Sequence, residues 1–304
     1  MKKVILLAGP TASGKSDLAI YIAKKINGEI INADSMQVYK EIKILSARPI
    51  NYKKIKHHLY GFLSVKRSFS TGQWIKLTKK KIKEIIKRKK IPIVVGGTGL
   101  YFKALTEGIA EIPFISKLKR QKVINLFNKI GYEKFYQKLV TLDPKCKNKI
   151  KKKDKQRLIR FYEVIFYTKK SIFDWQENTK KNFKRVKFIK IFLNIPKNVL
   201  LEKIDRRLKK MITNGALNEA LKFKRLGVPK HLPSNYVLGL KELQLNIDKK
   251  MLLEEAIDKA NIKTRQYIKR QMTWFRGQMI GWTDFNELKQ ADLKKKVLNF
   301  IRTS

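Results

Sequence analysis

Eight residues near the amino end, Gly9-Pro10-Thr11-Ala12-Ser13-Gly14-Lys15-Ser16, match the pattern G-x-x-x-x-G-K-[ST] in full. The glycines let backbone amides converge on an anion. A helix starting at Lys15 would add the positive end of its dipole. Lys15 brings a mobile positive charge, and the Ser16 hydroxyl can ligate the Mg²⁺ that accompanies a di- or triphosphate. The chemistry predicted is therefore the holding of a phosphorylated ligand by residues 9–16. A carboxylate, Asp34, follows the next apolar run, and Thr98 follows Gly96-Gly97. His57 and His58 invite a metal reading, but adjacent side chains diverge and no third ligand lies close in sequence, so both are read as structural. The single cysteine, Cys146, excludes an internal disulfide and any multi-cysteine zinc site. One cysteine also fits a reducing compartment.

These residues need elements to hold them. Val4 to Ala8 is an apolar run ending in glycine and reads as a buried parallel strand. Lys15 to Lys25 has helical spacing through Leu18 and Ile22, and Glu29 to Ala33 is a second short strand. Trp74 to Lys90 sets isoleucines among lysines at helical spacing, and residues 91–95 form a third strand stopped by Gly96-Gly97. Strand, helix, strand, helix at these lengths predicts an α/β fold, a P-loop NTPase-like parallel sheet flanked by helices. From residue 116 the pattern turns lysine-rich and helical, and a strand returns at Phe188 to Leu193, with Pro196 placed for a first helical turn. The expected division is an α/β core in 1–115, an inserted all-helical domain in 116–185, and a return strand with C-terminal helices in 186–304.

The chain has 304 residues and is 43% hydrophobic, enough for a full core and for more than one structural unit. Lys and Arg total 71 against 24 Asp and Glu, so the formal net charge is +47. A charge of that size draws polyanions, and nucleic acid is the first to consider. Lysine runs such as residues 79–81 and 151–153 are also ordinary solvated faces, so the motifs must decide between the two. The opening Met1 to Leu7 is too short and lacks the small-residue site of a signal peptide. No stretch approaches the ~20 apolar residues of a membrane span. The expectation is a soluble, cytoplasmic protein that does not engage membranes.

Taken together, residues 9–16, Asp34-Ser35-Met36-Gln37-Val38-Tyr39 and Gly96-Gly97-Thr98-Gly99-Leu100-Tyr101 resemble the tRNA isopentenyl-transferase family. His57-His58-Leu59, Asp154 to Arg160, Arg206-Arg207 and Thr264 to Arg276 resemble later segments of that family in the same order. The cradle alone is shared with many ATP-using enzymes; the combination is specific. Departures exist. Lys40 to Pro49 lacks the family's glycine-rich stretch, Lys56 replaces a proline, and Val237 to Glu242 is a looser Gly-Tyr-x-Glu motif. The family's eukaryotic zinc-finger extension needs more than one cysteine, so the likeness is to the bacterial type.

The resemblance implies transfer of a dimethylallyl group from dimethylallyl diphosphate to the exocyclic amine of the adenosine beside the anticodon, with Mg²⁺ as cofactor and the tRNA anticodon stem-loop as partner. It implies that Gly9, Pro10, Thr11, Ala12, Ser13, Gly14, Lys15 and Ser16 bind the diphosphate, with Ser16 also on the metal. Asp34 becomes the general base, because the amine lone pair is conjugated into the ring and a carboxylate must take its proton. Arg207 reaches the departing diphosphate with its planar fork, and Thr98 helps place substrate. Asp34, Ser35, Met36 and Gln37 meet a flipped nucleotide. Gln156, Arg157, Leu158, Ile159, Arg160, Arg265, Lys269 and Arg270 contact the tRNA, with Trp274 set among the later cations. A monomer is expected. The rivals are a small-molecule kinase using ATP and an RNA-binding protein without activity; the Asp34 and Thr264 blocks favour neither.

Overall fold

The computed structural model describes residues 2–49, 55–179, 183 and 185–304. The chain divides into two compact units, Met1–Thr106 with Phe183–Ser304, and Glu107–Asn182.

In the first unit the chain runs β1 (Lys2–Ala8), α1 (Lys15–Lys25), β2 (Gly28–Asn32), β3 (His57–His58), α2 (Thr71–Lys87), β4 (Ile91–Gly96) and α3 (Gly99–Glu107). In the second unit α4 (Lys117–Leu142), α5 (Lys155–Thr168) and α6 (Ile172–Glu177) follow. The chain then returns with β5 (Val186–Leu193), α7 (Lys197–Thr213), α8 (Ala216–Arg225), α9 (Leu240–Ile247), α10 (Leu253–Gln278), β6 (Thr283–Phe285) and α11 (Gln290–Thr303).

Among the described residues the strands form one sheet in the order β3-β2-β4-β1-β5-β6. Every pairing is parallel. The β1 run is apolar without alternation because both its faces are buried. Ile5 and Leu7 join one core with α1 and α11, while Val4, Leu6 and Ala8 join another with α2 and α3. The second strand ends at Asn32 rather than Ala33, and β3 and β6 were not foreseen. No helix among the described residues is long and apolar enough to cross a membrane.

Local signals fix the helix starts. Gly14 precedes α1 at φ 82°, a conformation glycine adopts freely. Ser70 and Gln73 close a capping box on α2. A third core packs Val38, Tyr39, Ile42 and Leu45 on α8 and α9. This core secures the stretch after Asp34.

Inside the second unit, Ser116 caps α4 and Asp154 caps α5 through side-chain oxygens. Val123, Phe127, Phe135 and Leu139 of α4 pack on Leu158, Ile159 and Tyr162 of α5. Cys146 is buried there, and its thiol donates to Asp143 Oδ2 at 3.4 Å. Burial and that carboxylate push the thiol up to about 12, so it is an inert structural group.

His57 and His58 form β3, paired in parallel with Ile30 and Ile31 of β2. His58 Nε2 meets the buried Glu29 Oε2 at 2.7 Å, and Arg88 donates to the same oxygen at 2.6 Å. Lys90 reaches the other oxygen at 3.2 Å. Burial works against the Glu29 charge, yet the Arg88, His58 and Lys90 partners win and hold its carboxyl at about 2. No cluster of His, Cys, Asp or Glu among the described residues suits a metal. His58 is thus part of the ion-pair cluster around Glu29.

Candidate active site

The phosphate cradle leaves the C-terminal end of β1 and turns into α1. Its tightness demands small residues. A Cβ on Gly9 would lie 2.8 Å from Ser13 Oγ. Ala12 is held at φ 66°, which L-residues seldom adopt. The Ser13 hydroxyl is buried with no hydrogen-bond partner among the described residues. Lys15 Nζ donates to Pro10 O at 3.0 Å, so the ammonium folds back over the loop. Burial lowers Lys15 to about 8, with Asp34 resisting the shift and Arg207 adding to it.

One clamp was missed in the sequence. Gln271 of α10 accepts Thr11 N–H at 3.0 Å and donates to Gly97 O at 2.8 Å. It bolts the cradle to the end of β4. A Cβ on Gly97 would lie 2.5 Å from that amide nitrogen, which explains the glycine. Trp274 lies against Gly99 so closely that a Cβ there would sit 2.1 Å from its ring. Trp274 is thus packed into the fold, not offered for stacking.

Asp34 stands two residues beyond β2 in a network that starts at Asn32. Asn32 Oδ1 accepts Asp34 N–H at 2.8 Å, and its amide donates to Asp34 O at 2.9 Å. Asp34 Oδ1 accepts Met36 N–H at 2.9 Å, an Asx turn. Its Oδ2 takes no hydrogen bond among the described residues. Thr98 Oγ1 accepts Ser35 N–H at 3.0 Å and lies 3.4 Å from Ser35 Oγ. Thr98 and Ser35 are outside the cavity wall, so they act by holding the turn that carries Asp34. Gly96 permits the approach, since a Cβ there would lie 2.1 Å from Ala33 O.

A cavity of about 550 Å³ opens beside these groups. Thr11, Lys15, Ser16, Asp34 and Arg207 line it together, although they come from separate parts of the chain. Arg207 is half-buried and has no hydrogen bond or ion pair among the described residues. Burial lowers its pKa and the Asp34 charge opposes that. Met36 and Gln37 form another part of the wall with Ser46 and Ala47. The Gln37 amide nitrogen donates to the carbonyls of Ser46 at 3.1 Å and Ala47 at 3.2 Å. That stretch is in turn held by Glu219, whose carboxylate accepts the N–H groups of Lys43, Ile44 and Leu45 at 2.7 to 3.1 Å. This anchor serves where the glycine-rich stretch is missing. Tyr267, also unforeseen, shares the wall; burial and then Asp34 push its phenol up.

The residues expected to meet RNA divide into three kinds. Gln156 and Lys269 are exposed, as is Arg157, whose Nε pairs with Asp154 Oδ2 at 3.5 Å. Arg270 is exposed, lines the cavity and lies over the Tyr267 ring at 5.8 Å. Arg160 and Arg265 are engaged in ion pairs. Arg160 donates to the buried Glu163 at 2.7 Å, an oxygen shared with Arg120, and Arg265 grips Asp205 at 3.0 Å. Leu158 and Ile159 are a correction: both are buried in the helical core, because α5 turns its apolar stripe inward. Their side chains present nothing to an RNA surface.

Residues 37–278 match the family model described as IPP transferase. The chain is 50% identical over 297 residues to a tRNA dimethylallyltransferase of Pelagibacter ubique, covering 97% of this chain and 95% of that protein. A tRNA dimethylallyltransferase of Rickettsia massiliae is 47% identical over 302 residues, covering 97% and 83%. Among solved structures, a eukaryotic dimethylallyltransferase acting on tRNA superposes with TM-score 0.82 at 29% identity, covering all of this chain and 80% of that one. The tRNA isopentenylpyrophosphate transferase of Bacillus halodurans gives TM-score 0.71 at 31% identity over 100% and 96% of the two chains.

Proposed function

The chain belongs to the IPP transferase family, and on that premise we propose how its pocket carries a dimethylallyl group from dimethylallyl diphosphate to tRNA. It is a tRNA dimethylallyltransferase, a prenyl-transferring enzyme. The acceptor is the exocyclic N6 amine of the adenosine 3′ to the anticodon. The observation that carries the reading is that the cradle, Asp34 and Arg207 share one cavity of about 550 Å³, the size of a small-ligand site.

Amides of residues 9–16, the α1 dipole and Lys15 hold the diphosphate. The partnerless Ser13 hydroxyl supports an anion in the loop, whose oxygens would accept from it. Mg²⁺ fits the donor set. Ser16 offers a hard oxygen atom to the cavity, too little for a protein cage but suited to an ion that would keep most of its ligands as waters and substrate oxygens. Ser16 would hold the ion, and the chemistry supplied is neutralisation of charge on the leaving group.

The reaction moves one bond and one proton. The adenine nitrogen bonds to the allylic carbon, the carbon–oxygen bond breaks, and its electron pair leaves with pyrophosphate. Arg207, unpaired among the described residues, binds the anion as charge develops. The proton from N6 goes to Asp34 Oδ2, and the Asx turn and Thr98 keep that oxygen in place. Met36 and Gln37 meet the edges of the flipped base. Gln156, Lys269 and Arg270 take the RNA backbone; Arg157, Arg160 and Arg265 reach it from within their ion pairs. The protein acts as a monomer in the cytoplasm, where tRNA is met.

The test is mass spectrometry of tRNA nucleosides after incubation of the purified protein with unmodified tRNA and dimethylallyl diphosphate. A single prenyl addition to adenosine, with no ATP required, is expected. An unmodified adenosine, or phosphorylation of a small molecule by ATP, would sink the reading.

A further inference from the structure

Tyr236 is a wall residue of the cavity that neither the cradle nor the base chemistry uses. It remains 70% exposed. It sits at the end of a 3₁₀ turn, Pro233–Tyr236. The turn is fixed on both sides of the ring. Ser234 is fully buried and donates to Val65 O at 2.7 Å. Asn235 Nδ2 donates to Pro229 O at 2.9 Å and Leu232 O at 3.2 Å. Val237, the next residue, is buried in the core that holds α8 and α9. A rigid turn thus presents an aromatic face to solvent at the rim of the cavity. The ring has no aromatic or cation partner among the described residues, unlike Tyr267 below Arg270. Lys241 and Arg270 line the same wall, as does Lys263, which is paired there with the Glu242 carboxylate.

An exposed aromatic ring set among cations is the arrangement that binds single-stranded nucleic acid, with charge on the backbone and a π-face for a base. The flipped adenosine goes deeper, toward Asp34. Turning it out leaves its neighbour in the loop without a stacking partner. We propose that Tyr236 stacks on the base adjacent to the flipped adenosine and so positions the anticodon loop over the cavity. The inference rests on the tRNA reading above. It makes Tyr236 a positioning residue for the RNA, with no part in binding the diphosphate. The hydroxyl is not needed, since stacking uses the ring face.

The test compares the Tyr236→Ala, Tyr236→Phe and wild-type proteins on an unmodified anticodon stem-loop RNA. Two further stem-loops carry 2-aminopurine on the 5′ or the 3′ side of the target adenosine. Tyr236→Ala should raise KM for the RNA by about 5- to 150-fold, the span of one stacked base. The diphosphate KM and the kcat at saturating RNA should stay within about twofold, the resolution of such constants. Tyr236→Phe should restore the RNA KM. One of the two probes should be quenched on binding to wild type and not on binding to Tyr236→Ala. An unchanged RNA KM in Tyr236→Ala overturns the proposal. So does a matching rise in diphosphate KM, a Tyr236→Phe protein as impaired as Tyr236→Ala, or two probes indifferent to the ring. A wild-type protein that leaves the RNA unprenylated would sink the earlier reading instead, so the two failures are distinct.

Discussion

Asp34 Oδ1 holds the turn by accepting Met36 N–H. On the proposed function, Oδ2 is the oxygen that takes the proton. An asparagine keeps the first acceptor and loses the second. Asp34→Asn should therefore cut kcat by about 10²–10⁴ in a single-turnover assay. Stem-loop affinity and the thermal midpoint should stay near wild type, and undiminished turnover would remove Asp34 from the chemistry. Lys15 gives a pH signature. With the anion absent its ammonium titrates at about 8. A bound diphosphate favours the charged form and raises that value. Above pH 8 binding must take up a proton, so affinity is full below pH 8 and falls as pH rises. The limit is tenfold per unit until the bound-state value is passed. Calorimetry at pH 9 in two buffers of different ionisation heat should register uptake approaching one proton.

The elements decide whether those residues meet. Gln271 joins Thr11 of the cradle to Gly97 beyond β4, from a helix 260 positions away from Thr11. Gln271→Ala strands a part-buried N–H at Thr11 and a buried carbonyl at Gly97. A stability loss of about 1–3 kcal/mol is expected in urea unfolding, together with a raised diphosphate KM. A variant with both quantities unchanged would show that the clamp does not shape the cradle. The same comparison shows what the sequence could disclose. Residues 9–16 are legible because strand end, glycines, lysine and helix start all lie within one short segment. Gln271, Tyr267 and Glu219 are not, since each is brought to the site by α8 or α10 packing, which no local period encodes. The strands β3 and β6 have two and three residues, too few for alternation to rise above chance. In the other direction, Leu158 and Ile159 lie in a motif that resembles an RNA-contacting segment, yet helical geometry spends them on the core.

At the scale of the molecule, the net charge of +47 acts before any residue touches RNA. Neutralised phosphates release counterions, so stem-loop affinity should fall more than tenfold between about 50 and 200 mM salt. Fluorescence anisotropy of a labelled stem-loop measures this, and a flat salt profile would mean that the exposed lysines do not meet the backbone. The composition alone disclosed this field, but not its direction. The fold adds that Arg120 and Arg160 share Glu163 and that Arg265 is tied to Asp205, so part of the positive charge is spent internally.

The place of β1 in the sheet has a bearing on how the protein is made. Its neighbours are β4 on one side and β5 on the other. Residues 91–96 emerge from the ribosome early, whereas residues 186–193 follow only after all of Glu107–Asn182 has been synthesised. Through that interval the nascent chain carries the edge of Lys2–Ala8 bare, with an apolar run ready to pair with any passing strand. The loop of residues 9–14 hangs from this same strand, so its geometry is completed only when the late half of the polypeptide arrives.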